Sequence, residues 1–511
     1  MIRDLDLILT PQEAFEERTI RKKAASKCGL ALSRVTGTKI LRKSIDARRM
    51  EIKINLKVRL FIDEEVKNTW TPTLFPDVSS SPSAIVVGMG PAGLFASLTL
   101  IESGIRPIVL ERGKDVHERK KDCALLCTRG ELNTESNYVF GEGGAGAYSD
   151  GKLYTRSLKR GDINKVLSLL VQHGADESIL YETHPHIGTD KLPSVIEEIR
   201  NTIIKSGGEV HFNTKVVSLL KKGESVIGVK CENGEEYLGP VILATGHSAK
   251  DVYRFLHDSS ILLEAKDTAV GVRLEHPQAL IDQIQYHNPK GRGDYLPPAT
   301  YSFVTQVNKR GVYSFCMCPG GSVVPTATEY GLSSVNGMSS SSRSGSKANS
   351  AMVVQIRKED VPQKGVFSVL DWVEDIERES FRDKFMAPAQ RMADFVSNRF
   401  STTLPSSTYA PGLISSDLYS VLPSIVSSSL KDGFIEFGRI TRGRFLTNEA
   451  VMIASETRTS SPLRIIRDEA YKSIPGLYPT GEGSGYAGGI VSAAIDGTEV
   501  AKVVAKSILN I

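Results

Sequence analysis

Long apolar runs are missing from this 511-residue chain, and none approaches the ~20 residues needed to span a bilayer, so no membrane span is expected. Cysteine is scarce: six in so long a chain cannot form a disulfide framework. An excess of one charge is also lacking. With 63 Lys and Arg against 59 Asp and Glu the formal net charge is +4, which argues against a nucleic-acid or membrane surface. The first residues, MIRDLDLILTPQEAFEE, are acidic where an export signal is basic and apolar, and together with the few cysteines they lead to the expectation of a cytoplasmic protein. No group of His, Cys, Asp and Glu has metal-ligand spacing, so no metal is expected. No repeat of 20 to 50 residues is visible.

What is present is ordinary globular material, 40% hydrophobic and 24% charged, enough for two or three domains. Residues 4–62 read as strand, helix, strand, strand. Thr10, Pro11 and Glu13 make a capping-box start for a helix running to about Lys27, and alternation in KINLKVRLFI predicts a strand at 53–62. A proline- and serine-rich stretch at 69–83 reads as a linker. The expected division is a small α+β unit at 1–68, the linker, a nucleotide-binding region at 84–261, an inserted region at 262–447 and a return at 448–511.

The sharpest motif follows the linker. In AIVVGMGPAGLFASLTLIESGIRPIVLERG, a short apolar strand runs into Gly88-x-Gly90-x-x-Gly93 and then a helical stripe. Gly88 allows a tight turn, Gly90 lets backbone approach a pyrophosphate, and Gly93 lets helix and strand pack closely. Pro91 suits the first helical turn. A second strand ends at Glu111, eighteen residues beyond Gly93, where a carboxylate can accept the hydroxyls of an adenosine ribose. In GEGGAGAYSDGK, Gly143, Gly144 and Gly146 can offer N–H groups to a dinucleotide, with Ser149 a donor and Lys152 a charge; a structural glycine loop is the other reading. Near the end, TGEGSGYAGGIVSAAIDG places glycines before a helix start, which serves either an electron-rich ligand or tight helix packing.

A helix at 194–205, a run of short strands and then PVILATGHSA complete a pattern. This return to ATG resembles the FAD-dependent oxidoreductases of the glutathione-reductase-like superfamily, and TGEGSGYAGG is similar to that superfamily's last motif, in which an acid, here Glu482, holds the ribityl chain. More closely, GEGGAGAYSDGKLYT at 141–155, PHIGTD at 185–190, FCMCPGG at 315–321, NGMS at 336–339, ETRTSSP at 456–462 and the closing motif at 478–497, with SIDARR at 44–49, resemble a bacterial family of FAD-dependent or "NAD(FAD)-utilizing" dehydrogenases. The resemblance implies an α/β fold: a Rossmann-like two-part FAD-binding domain, an inserted α+β substrate domain and the small N-terminal α+β unit. It implies FAD held by Gly88, Gly90, Pro91, Ala92, Gly93, Glu111 and Arg112. The same implication extends to Gly143, Gly144, Ala145, Gly146, Ser149 and Lys152, then to Val216, Thr245 and Gly246, and finally to Gly481, Glu482, Gly488, Gly489 and Ile490.

Catalytic candidates are fewer. Cys123 and Cys127 follow the second strand but lack redox-loop spacing. Cys316 and Cys318, two apart in an expected strand, would share a face, either toward a pocket or in a sheet core. Among the histidines His247, directly after ATG, is the first choice for acid/base work; His186 and His276 have structural roles by default. Arg458 suits an anionic substrate, a flavin edge or a salt bridge. The inserted region shows a turn at 308–311, a serine-rich loop and an amphipathic segment at 369–382, without a second GxGxxG, so NAD(P)H would bind only as a transient electron donor. The expected function is an FAD-dependent oxidoreductase passing a hydride between flavin N5 and a small-molecule substrate. The alternative is a flavoprotein acting on a macromolecule, such as an RNA-modifying enzyme, with residues 1–80 as docking module. Low net charge and the lack of an aromatic and basic strip disfavour it.

Overall fold

Alternation organises the first unit. The computed structural model describes residues 1–154 and 161–510; Thr155, the last residue of the motif at 141–155, lies outside the described residues. The strand Lys53–Ile62 buries Ile54, Leu56, Val58 and Leu60 on one face. It is the central strand of an antiparallel sheet, between Ile2–Leu9 and Val35–Asp46. Ile20, Ala24 and Ala25 cover that face from the helix Glu17–Lys27. The capping box at Thr10 and Glu13 is formed, but Glu16 is extended (φ −97°, ψ 110°) and divides the expected single helix into Pro11–Phe15 and Glu17–Lys27.

The stretch from 69 has no regular structure until the strand Ser83–Val87, yet it is fastened down. Thr73 N donates to Gln172 Oε1 (2.8 Å), Val78 N donates to Ser206 O (2.8 Å), and Val78 is buried. Beyond it lies a five-stranded parallel sheet ordered Leu477–Pro479, Val241–Leu243, Ser83–Val87, Arg106–Leu110, Glu209–His211. The helices Pro91–Glu102, Leu192–Lys205 and Ile490–Leu509 share one core cluster beside it. Residues 477–509 thus return across about 230 residues to complete the sheet begun at Ser83.

The insertion forms a seven-stranded mixed sheet ordered Val304–Val307, Arg310–Cys318, Lys347–Ile356, Thr268–Pro277, Val451–Glu456, Ala387–Arg391, Leu413–Ser415. The helix Ser424–Ile440 packs on one face through Val426, Leu430, Phe434 and Phe437. The expected turn is a two-residue hairpin in which Asn308 (φ 48°) and Lys309 (φ 62°) are both left-handed, the geometry that matches strand twist. The expected boundary at 447 is displaced. Val451–Glu456 pairs with Thr268–Pro277 and Ala387–Arg391 inside this sheet, because a fully buried strand must satisfy its backbone N–H and C=O groups on both edges. The chain then passes back through a two-stranded ribbon, Leu263–Ala265 with Leu463–Ile465.

Candidate functional site

All five parallel strands end at one edge, and there four glycine-bearing loops meet. Close packing explains several of the glycines. An added Cβ would come 2.5 Å from Ala244 O at Gly88, 2.0 Å from Gly88 O at Gly93, 2.4 Å from Gly246 O at Gly483 and 2.1 Å from Ala92 O at Gly497. Others face open space: the nearest protein atom to a Cβ at Gly90 is 3.8 Å away, and at Gly488 and Gly489 nothing lies within 4 Å. Gly90 and Gly489 are the N-caps of Pro91–Glu102 and Ile490–Leu509, both without a side-chain cap. Two helix N-termini therefore present free N–H groups and positive dipole ends to one cleft. The loop at 141–146 lies against both, since a Cβ at Gly146 would stand 3.2 Å from Ile490 and 3.7 Å from Pro91.

Glu111 is buried at the head of this cleft, where Met89 N and Gly113 N each donate to one of its oxygens (2.9 Å). Each oxygen retains a lone pair for a further donor. Several sequence candidates are otherwise engaged. Gly143 N donates to Met89 O and Gly144 N to Gly141 O, so the expectation that these amides are free for a ligand is corrected: one ties the loop to the Gly88–Gly93 turn and the other closes its own turn. Ser149 Oγ donates to Gly146 O (2.8 Å), and Lys152 Nζ donates to Met317 O, tying the loop to FCMCPGG. Arg112 pairs with Glu135 and Asp251 and lies over the Phe140 ring. Val216 is buried at the start of Val216–Lys222. Ala92 is buried beneath Gly481, Ala145 is exposed, and Thr245 and Gly246 are half-buried on the strand exit facing Gly483.

Around Glu482 the acid/base candidates separate. His247 Nδ1 lies 3.4 Å from Glu482 Oε1, while its Nε2 is buried without a hydrogen-bond partner. The residue also lines a small cavity of about 20 Å³ with Lys250, Glu377 and Arg458. Lys250 pairs with Glu374 (3.0 Å) and Arg458 with Glu377 (3.0 Å), so Arg458 sits in a buried ion pair. His186 Nε2 is 3.1 Å from Ser341 O, and burial lowers its pKa. His276 is fully buried; Nε2 donates to Phe445 O (2.9 Å), and burial pushes its pKa down to about 4.

The cysteine expectation fails for a geometric reason. The register slips between Phe315 and Cys318, and Cys316 is left-handed (φ 46°), so a bulge breaks the alternation. Cys316 is exposed and Cys318 buried. Cys318 Sγ and Cys316 O both lie against Arg273 Nη2 (3.3 and 2.8 Å). Cys123 is buried on the helix Val116–Arg129 with its thiol pushed up to about 12 by burial, and Cys127 contacts Tyr138 Oη.

Three groups escaped the sequence reading. Arg119, fully buried, donates to the carbonyls of Asn137, Gly141, Glu142 and Gly144 and so shapes the glycine loop. Asp496 accepts from Gly481 N (2.7 Å), Thr480 Oγ1 (2.9 Å) and Arg467, anchoring the last loop to the last helix. Arg273 pairs with Glu456 (3.3 Å) and donates to Asn349 inside the inserted sheet. Only Asp496 lay in a quoted motif; a polar residue inside a helical run signals nothing until its loop partner folds beside it.

Comparison with known proteins follows this division of the chain. Residues 267–459 match the family described as FAD-dependent protein, C-terminal domain-like, and residues 1–61 match a domain of unknown function (DUF8436). An uncharacterized protein of Clostridium beijerinckii is 38% identical over 512 residues, covering 94% of this chain and 95% of the relative. Among solved structures, tetracycline destructase Tet(51) is similar at 12% identity and TM-score 0.34, covering 84% of this chain and 83% of that one. A geranylgeranyl bacteriochlorophyll reductase-like protein from Thermoplasma acidophilum is similar at 13% and 0.35, covering 84% and 80%.

Proposed function

The chain belongs to the same family as the Clostridium beijerinckii protein and carries the C-terminal domain of FAD-dependent proteins, and from that premise we propose that it is an FAD-dependent oxidoreductase acting on a small molecule. The observation that carries the reading is the cleft itself: two uncapped helix N-termini and the open faces of Gly90, Gly488 and Gly489 at the exit edge of a parallel sheet. These residues fit FAD. Gly88 to Gly93 with the helix start at Pro91 would hold the pyrophosphate, Glu111 the adenosine ribose, and Glu482 the ribityl chain. The open N-terminus at Gly488 to Ile490 would face the isoalloxazine. When bound, FAD supplies a ring that gives or accepts a hydride.

The chain's own residues do the rest. The inserted sheet bounds the substrate space, with Cys316 as an exposed wall residue and Lys152 holding that wall to the loop at 141–146. His247, with Nδ1 beside Glu482 and its ring lining the small cavity, would be the acid/base group. A nicotinamide would serve only as a transient electron donor. Denaturing the purified protein should leave noncovalent FAD in the supernatant, and FMN or no flavin would contradict the cofactor. Anaerobic titration with both nicotinamides and a metabolite panel, followed by flavin bleaching, then identifies donor and substrate.

A further inference from the structure

A second concavity opens where the N-terminal unit leans on the inserted sheet, and it uses the SIDARR motif that the flavin cleft leaves aside. Its volume is about 930 Å³, within the range of sites that enclose small organic ligands. One wall is the turn after Val35–Asp46, carrying Asp46, Arg48 and Met50; the other is built from Ile284, His287, Phe303, Ile440, Arg442 and Arg444. The walls are fixed to each other. His287 Nε2 lies 3.0 Å from Ala47 O, Phe15 meets Tyr295 edge-on at 5.6 Å, and Leu296 packs against the cores of both units.

Charge of one sign is left over in this cleft. Asp46 is the one acid lining it, and Arg48 occupies both its oxygens at 2.8 and 2.6 Å, holding that carboxyl well below the usual range. Arg442 and Arg444 have no side-chain partner among the described residues. Both line the cleft from a turn in which Arg442 (φ 54°) and Gly443 (φ 80°) are left-handed. That turn follows the end of Ser424–Ile440, whose negative dipole end favours cations nearby, and both arginines are exposed. Beneath them the floor is apolar: Ile284, Ile440 and Phe303, whose ring stacks on Phe437 at 5.3 Å.

We propose that this cleft binds a small organic phosphate, its phosphoryl oxygens held by Arg442 and Arg444 and its apolar or aromatic body laid on Ile284, Phe303 and Ile440. Guanidinium forks match phosphate oxygens bidentately. The volume is far larger than a bare phosphate needs, and the apolar floor gives the remainder of the ligand a surface. Single-stranded RNA is served less well, because the cleft is lined by only two aromatic rings, Phe303 and His287, and the His287 ring is tied to Ala47 O, whereas such strands need a succession of stacking platforms.

The test is calorimetry on the full chain saturated with FAD, so that nucleotide probes cannot enter the flavin cleft. ADP should bind, inorganic pyrophosphate at least about tenfold more weakly, and adenosine more weakly still. Arg442→Gln/Arg444→Gln should lower ADP affinity by roughly a hundredfold, about tenfold per charge-assisted contact, with flavin content and melting temperature unchanged. Ile440→Trp, which fills the floor without altering charge, should weaken ADP as well. Absence of ADP binding, equal affinity in the double variant, adenosine binding as tightly as ADP, or an RNA oligomer binding where small phosphates do not would each overturn the proposal.

Discussion

A glycine that faces open space and one that touches backbone should fail differently. At Gly90 the fold has room for a side chain but the proposed pyrophosphate does not, so Gly90→Val should keep its melting temperature within a few degrees and lose FAD. At Gly497 a Cβ meets Ala92 O at 2.1 Å, so Gly497→Val should cost about 3 kcal/mol of stability before any question of flavin arises. Flavin absorbance per chain and a denaturation curve separate the two, and loss of fold in Gly90→Val would refute the assignment. Glu482→Ala should weaken FAD less than Gly90→Val, since it removes one anchor rather than filling the site. His276 makes stability depend on pH. Its buried ring resists protonation down to about 4, whereas the unfolded chain takes the proton near 6.5, so the contribution is complete above pH 6.5 and is lost as pH falls toward 4. Wild type should lose about 3 kcal/mol more than His276→Gln across that window; parallel curves would show that the ring is not buried neutral.

Elements in the inserted sheet are joined by a buried charge as well as by ladder bonds. Arg273, on Thr268–Pro277, reaches Glu456 on the neighbouring strand, Asn349 on the other side and the carbonyl of Cys316 at the bulge. Arg273→Met should therefore destabilise by about 3–5 kcal/mol, because it strands a buried carboxylate, and adding Glu456→Gln should recover much of the loss. Additive costs in urea unfolding would show that the two residues do not act as a pair. The same contact bears on Cys316 and Cys318. With one thiol exposed and the other against Arg273, a Cys316→Ser/Cys318→Ser protein should bind FAD and turn over normally while losing stability through position 318. A folded, flavin-loaded variant that reduces but no longer turns over would assign the cysteines to the chemistry.

At the scale of the molecule, the proposed flavin cleft is assembled from stretches at 88–113, 141–152, 244–247 and 480–490, separated by most of the chain. Any ligand that bridges them binds only the folded state and should stabilise it by about 2.7 kcal/mol at a hundredfold excess over Kd. Thermal melts across a series of FAD concentrations measure this, and a melting point indifferent to FAD would remove the cleft from consideration.

Local physics made much of this legible without coordinates. The turn at Gly88 to Gly93, the capping box at Thr10, the strand at 53–62 and the hairpin at Asn308 depend on neighbours a few residues apart, and period and turn chemistry specify such features directly. Whatever depends on partners distant in sequence was decided by tertiary structure. The strand Val451–Glu456 falls within the insertion rather than beyond it, because a short buried strand does not say which sheet will claim it. For Gly143 and Gly144 a sequence does not tell whether an amide is already satisfied, and Met89 and Gly141 satisfy them only once the chain folds back. Cys316 and Cys318 lost their common face to one bulged residue, since a register slip reverses the direction of every side chain beyond it. The arginine cleft was beyond sequence reasoning altogether: Arg48 and Arg442 are nearly 400 residues apart, and only the docking of one unit on another makes them neighbours.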